Sequence, residues 1–415
     1  MTWEARSVHD VDAARRPPRE HVLFAAASIG ALANGVAGSA AALLAERVGG
    51  GMAVAGLPQA MLVIGTAVAA LGISAASRGG RRVRSLAVGA VAAAVGAMIV
   101  VGAAIVASFP ALLAGSLLFG AGNAAVMLSR YAAAERAQPA RRVRALTALL
   151  VATSVGAVVG PLLLEPSDRL GQALGLPPLA GCFVLGAAAF VVAAAAFTAV
   201  PVPPRADAST GSHEAAPDGA PAASHRRRDT VVGVGVLSLA NLVMVLVMTA
   251  LPMHVLHLHD GGLQVLGVVI ALHVAAMFAP APLSGFVTGR LGAERAAGLA
   301  AAVLAGAAVL AAVAPAHLPT VSGAVVVIGL GWNLALVAGS AILARDAVES
   351  VRLRREGWGE VGMGVAAAGG GAASGVALQV AGFAGLAIGA GCIAVALLGW
   401  AVAARRRPAP ASTVD

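Results

Sequence analysis

Apolar runs of about twenty residues recur along the whole of this chain, and each is long enough to cross a hydrocarbon core of roughly 30 Å as a helix. Twelve can be placed, at 21–44, 53–76, 85–107, 110–132, 144–165, 178–201, 230–253, 263–288, 295–315, 319–344, 358–382 and 383–404. Backbone groups inside lipid have no water to bond, so such runs must be helical, and the expected fold class is an all-α membrane protein. Composition agrees, with 59% of the 415 residues hydrophobic and 11% charged, against roughly 25% charged in soluble domains. Alanine and glycine dominate the runs, which suits helices packed backbone to backbone.

Positive charge collects in "RGGRRVR" (Arg78 to Arg84), "ARRVR" (Ala140 to Arg144), "HRRRD" (His225 to Asp229), "VRLRR" (Val351 to Arg355) and "RRR" (Arg405 to Arg407). These are alternate connections plus the C-terminal tail. The positive-inside rule makes them cytoplasmic, and both termini with them, in a multi-pass protein of a bacterial-type inner (plasma) membrane. The net charge of +9 is then a topology signal, and no nucleic-acid partner is expected. Residues 1–20 show no short apolar region followed by a small-residue cleavage site, so they read as a cytosolic tail. Cys182 and Cys392 each lie inside an apolar run, which offers neither a disulfide framework nor a zinc cluster. No Ser-His-Asp set, Walker-type phosphate loop or metal-hydrolase motif occurs, which argues against an enzyme or an ATP-driven pump. No resident cofactor is expected.

The stretch "PVPPRADASTGSHEAAPDGAPAASHRRRD" reads as a flexible linker over 202–229. It separates two sets of six spans, 21–201 and 230–404, with a second tail at 405–415. The halves echo each other: "LAN" at Leu32 to Asn34 answers "LAN" at Leu239 to Asn241, and "GAGN" ending at Asn123 answers "GLGWN" ending at Asn333. Two six-helix bundles related by a pseudo-two-fold axis, with a central cavity, follow from the repeat.

"SRGGRR" (Ser77 to Arg82) and "GFVTGRLG" (Gly285 to Gly292) stand after the second and eighth spans. At this point the chain resembles the major facilitator superfamily, which carries a motif of the form G-x-x-x-D-R-x-G-R-R in this loop. Arg78, Gly80, Arg81 and Arg82 fall on it in the first half, and Gly285, Arg290 and Gly292 in the second. Both motif aspartates are missing, replaced by Ser77 and Gly289, and Ile73 takes the place of the leading glycine. The resemblance implies the major facilitator fold of twelve transmembrane helices, a monomer in membrane lipid, and a gating role for Arg78, Gly285, Arg290 and Gly292. Its glycines would let two helices meet closely. "GAVVGP" (Gly156 to Pro161) is similar to a motif of proton-coupled exporters in the same superfamily, and equally to ordinary small-residue packing.

Ionisable residues at membrane depth are usually functional. His273 is the one clearly embedded titratable group by sequence. Residues four apart share a helix face, so Met244 and Met248 form one pair and His273 and Met277 another. If the seventh and eighth spans are antiparallel neighbours, three thioethers and an imidazole can converge, a soft set suited to Cu(I). The following loop "MHVLHLHDGG" places Met253, His254, His257 and His259 where they could gather metal. Methionine is also a common gap-filler, and a buried histidine is often structural or a proton carrier. Bacterial copper importers of the superfamily carry M-x-x-x-M in the seventh span and H-x-x-x-M in the eighth. "MVLVM" and "HVAAM" resemble both, which implies copper as transported substrate, with Met244, Met248, His273 and Met277 as its ligands. Proton-coupled efflux of drug-like or metabolite solutes is the alternative. A non-transporting membrane sensor or assembly factor is a third reading.

Overall fold

The computed structural model describes residues 20–77, 81–136, 142–200, 223–258, 262–345 and 349–406. Arg78, Gly80 and His259, residues 1–19 and 407–415 of the two tails, and 202–222 of the linker lie outside the described residues. Among those described, the regular structure is helical throughout. The first half contains α1 (Glu20–Gly49), α2 (Leu57–Ala76), α3 (Arg82–Ile105), α4 (Phe109–Arg136), α5 (Arg142–Leu162) and α6 (Ala180–Ala199), with a 3-10 turn Met52–Val54 before α2 and a short helix Leu164–Ala173 after α5.

The second half begins with α7 (Ala223–Leu258), which starts before the expected 230. Next comes α8, formed by Gly262–Phe278 and Ala281–Leu291 with a 41° bend between them. Pro280 has no N–H to continue the ladder, and the break falls there. α9 (Ala293–Val313) and α10 (Leu318–Ala344) follow. The final helical stretch, Glu349–Arg406, is broken at Gly382, where φ is 65°. Its apolar part, Arg354–Val402, is 49 residues long, about 74 Å at 1.5 Å per residue and more than twice a hydrocarbon core. The break makes it two crossings, α11 (349–381) and α12 (383–406). With α8 counted as one bent span, the described residues hold twelve helices long and apolar enough to cross a membrane.

Small residues set the packing within each half. Gly156 and Gly160 on α5 meet the backbone of α1, where a Cβ on Gly160 would lie 2.6 Å from the Leu32 carbonyl oxygen and 2.8 Å from the Gly35 Cα. The "GAVVGP" stretch is thus a packing surface in this structure. Phe119, Phe183 and Phe190 cluster edge to face between α4 and α6.

An even number of crossings puts both ends of the described chain on one face of the bundle, here the terminal face; the other is the far face. The halves meet toward the far face. Gly375 on α11 abuts Met52 and Ala53, and a Cβ there would come within 2.8 Å of the Ala53 carbonyl oxygen. A Cβ on Gly371 would lie 3.4 Å from Ala60 N, and one on Gly267 of α8 would lie 3.2 Å from the Pro161 carbonyl carbon. Glu46 Oε1 and His257 Nε2 stand 3.2 Å apart across the same seam. On the terminal side, Ala281–Leu291 packs against α9 and α10 of its own half. Val68 and Leu71 of α2 are 64% and 76% exposed, and Leu283 and Phe286 of α8 are 63% and 58% exposed. The exposed pair Arg130–Glu360, at 3.8 Å, bridges the halves there. The arrangement is sealed at the far face and splayed at the terminal face.

Candidate functional site

The repeat brings matched amide side chains to the middle of the bundle. In the first half, Asn34 Nδ2 on α1 donates to Asn123 Oδ1 on α4 at 3.4 Å, and Asn123 Nδ2 donates to Thr66 Oγ1 on α2 at 3.2 Å. In the second, Trp332 Nε1 on α10 donates to Asn241 Oδ1 on α7 at 3.0 Å, while Asn241 Nδ2 donates to the Met363 carbonyl on α11 at 2.8 Å. Asn333 Nδ2 donates to the Met277 carbonyl at 2.7 Å and its Oδ1 accepts from Ser284 at 2.5 Å, both on α8. Asn34 and Asn241 thus stand in matching places, each bonded to the fourth helix of its half. The Met277 carbonyl lies at the α8 bend, where the helix ladder is interrupted, and Asn333 satisfies it.

His273 is 2% exposed. Its Nδ1 lies 2.6 Å from the Val325 carbonyl of α10. A carbonyl can only accept, so Nδ1 carries a proton. Nε2 is buried with no hydrogen-bond partner, and so is Oδ1 of Asn34. Met244, Met248 and Met277 are half-buried. α7 and α8 touch only lightly, because α10 packs against both. That corrects the simple neighbour picture for consecutive spans: His273 bonds to α10, and the Asn241 face of α7, shared by Met248, turns to α10 and α11.

The remaining candidates occupy defined places. α7 continues to Leu258, so Met253, His254 and His257 sit on its last turns rather than in a loop. Met253 is fully buried, and His254 stacks on Phe383 at 3.9 Å with Nε2 donating to the Pro315 carbonyl at 2.7 Å. His257 is exposed and pairs with Glu46. Arg290 lies in the last turn of α8, its guanidinium 4.9 Å from the Phe286 ring centroid. Gly292 has φ 82°, which glycine adopts without strain, and joins α8 to α9. Gly285 departs from the close approach expected of it: a Cβ there would meet nothing within 4 Å, because this part of α8 has no helix of the other half against it.

A profile of the Major Facilitator Superfamily matches residues 23–332. The chain belongs to the Major Facilitator Superfamily. It is similar to the uncharacterized MFS-type transporter YddS of Bacillus subtilis (strain 168), at 34% identity over 366 residues that cover 86% of this chain and 84% of that protein. It is also similar to the riboflavin transporter RfnT of Brucella anthropi, at 27% identity over 336 residues covering 80% and 82%. Among solved structures, the nucleoside transporter NupG matches with a TM-score of 0.73 at 13% identity, covering 94% of this chain and all of that one. This superfamily member is a membrane transporter and not an enzyme.

Two charged groups of the transporter escaped sequence reasoning. Glu294, at the start of α9, pairs with Arg345 of α10 at 3.2 Å and with Arg228 of α7 at 3.6 Å, tying three helices at the terminal face. They border a cavity of about 520 Å³ lined by Leu291, Gly292, Glu294, Arg295, Arg345 and Val402. Arg130 and Glu360 form the bridge between halves. Each sits more than a turn inside its helix but only two residues from the end of its apolar run, so the sequence carried no signal of the pairing.

Proposed function

We propose that this protein is a secondary transporter whose cargo is a neutral, hydrogen-bonding organic solute, held between the halves by Asn34, Asn123 and Thr66 on one side and by Asn241 and Trp332 on the other. The observation that carries this reading is the matched placement of amides on α1, α4, α7 and α10, with the Asn34 oxygen buried and lacking a donor. Amides supply both donors and acceptors, and an indole supplies a flat apolar face, the groups needed by a heterocycle bearing amide or hydroxyl substituents. The riboflavin transporter among the relatives handles a solute of this kind. The arginine clusters favour a cytoplasmic terminal face, which makes the arrangement described here inward-facing.

A second reading is Cu(I) transport through Met244, Met248, His273 and Met277. It is favoured by one observation: the His273 proton sits on Nδ1, leaving the lone pair of the buried Nε2 free to ligate. The two readings separate in proteoliposomes tested with radiolabelled riboflavin and, in parallel, with Cu(I) under reducing conditions. Flavin movement that falls at least tenfold in Asn123→Ala but survives Met244→Leu with Met248→Leu supports the first. Copper movement lost in the leucine pair and in His273→Ala, with no flavin movement, replaces it with the second.

A further inference from the structure

The far-face seam is closed mainly by glycines against backbone, with one ion pair among the described residues, Glu46 on α1 and His257 on α7, joining the halves at 3.2 Å. The other ring nitrogen, His257 Nδ1, lies 2.7 Å from the Met253 carbonyl. A carbonyl oxygen can only accept, so Nδ1 must carry a proton. Nε2 faces the Glu46 carboxylate at 3.2 Å, a contact that becomes attractive as an ion pair when this nitrogen is protonated too. A closed pair held by that attraction carries one more proton than a neutral imidazole and a carboxylate do. We propose that Glu46 and His257 form a proton-binding clasp that regulates opening of the far face, taking up one proton from the far-side water as the halves close and returning it as they part. The proton goes back to the compartment it came from, so the clasp regulates the cycle and does not drive it. With side-chain exposures of 53% for His257 and 18% for Glu46, far-side water reaches the pair.

The other charged groups of this region have their own positions. Arg47, beside Glu46, is exposed. On the short helix Leu164–Ala173, Glu165 pairs with Arg169, and Asp168 accepts from the Leu179 N–H and from Gln172. His254, one turn below His257, is bound to Pro315 and Phe383. His317 at the start of α10 bonds Thr320. α8 carries no titratable side chain before His273, and before its terminal arginines α12 carries only the Cys392 thiol. Linkage fixes the sign: acid on the far side favours closure, and alkali favours opening. An exposed pair is weak, so the closed-to-open ratio should change by only a few-fold.

The test uses the full chain with Cys392→Ser, spin-labelled at Leu174→Cys and Val313→Cys, exposed far-face sites on opposite halves. Pulsed electron spin distance measurements in detergent, at about pH 5.5 and about pH 8, should show the long-distance population rising a few-fold in the parent, with no such change in Glu46→Gln or His257→Gln. Glu165→Gln should keep the parent response. A parent insensitive to pH, an opening that grows in acid, or Gln variants that respond like the parent would each overturn the clasp. No substrate is needed, so failure of the cargo assignment leaves this result interpretable.

Discussion

Asn333 shows how one side chain holds a broken helix. Its amide nitrogen serves the Met277 carbonyl released at the α8 bend, and its oxygen takes the Ser284 hydroxyl. Replacing it by leucine keeps the volume roughly but strands both groups away from water. Asn333→Leu is expected to lower stability by about 1 to 3 kcal/mol, read as a shift in the midpoint of detergent unfolding, while Asn333→Gln, with a longer amide, should recover part of it. The amide repeats were legible in the sequence as echoes, but their partners were not. Asn241 is bonded to Trp332, ninety-one positions away, and to Met363, one hundred and twenty-two away, and no local pattern specifies contacts at that range.

Glycine matters at the level of helices only where another backbone approaches. Gly160 on α5 faces Leu32 and Gly35 of α1 at distances that backbone cannot relax, so Gly160→Leu should separate the two helices and abolish the folded, monodisperse protein in size-exclusion chromatography. Gly285 on α8 has open space around it in this conformation. Gly285→Ala should therefore be tolerated, or stabilise by up to about 1 kcal/mol through helix propensity. If α8 meets the other half at this glycine once the terminal face closes, the same variant will also slow turnover, with unchanged solute affinity in equilibrium binding. A variant with full turnover would show that Gly285 is never a contact.

For the molecule as a whole, a far face sealed by contacts of α1, α2, α5, α7, α8 and α11 and a terminal face bridged, among the described residues, by the exposed pair Arg130–Glu360 describe one end of a rocking cycle. Glu46→Cys with His257→Cys, in a Cys392→Ser background and bridged by a short cleavable thiol crosslinker, should fix that end. Transport by the purified protein should fall to background and return when the linker is cut. Persistent transport in the bridged protein would mean that the halves do not need to part at the far face. Removing the terminal bridge with Glu360→Gln should do little to stability, since such pairs contribute roughly 0 to 1 kcal/mol.

By itself the sequence determined the medium, the number of crossings and the superfamily, and it led to the expectation of two halves. Each of these rests on apolar run length, on local motifs or on echoes at constant offset, which are properties of the chain read in order. The boundary between the runs 358–382 and 383–404 coincides with the break at Gly382, where glycine takes φ 65° without strain. The tertiary structure alone decided which faces meet. A methionine pair and a histidine–methionine pair on consecutive spans looked like neighbours, yet α10 packs against both spans and accepts the His273 hydrogen bond, because helix order around a bundle is set by side-chain fit across distant segments. The same fit joined Glu46 to His257 across two halves that a linker separates in sequence, where charge and spacing gave no sign of the pairing.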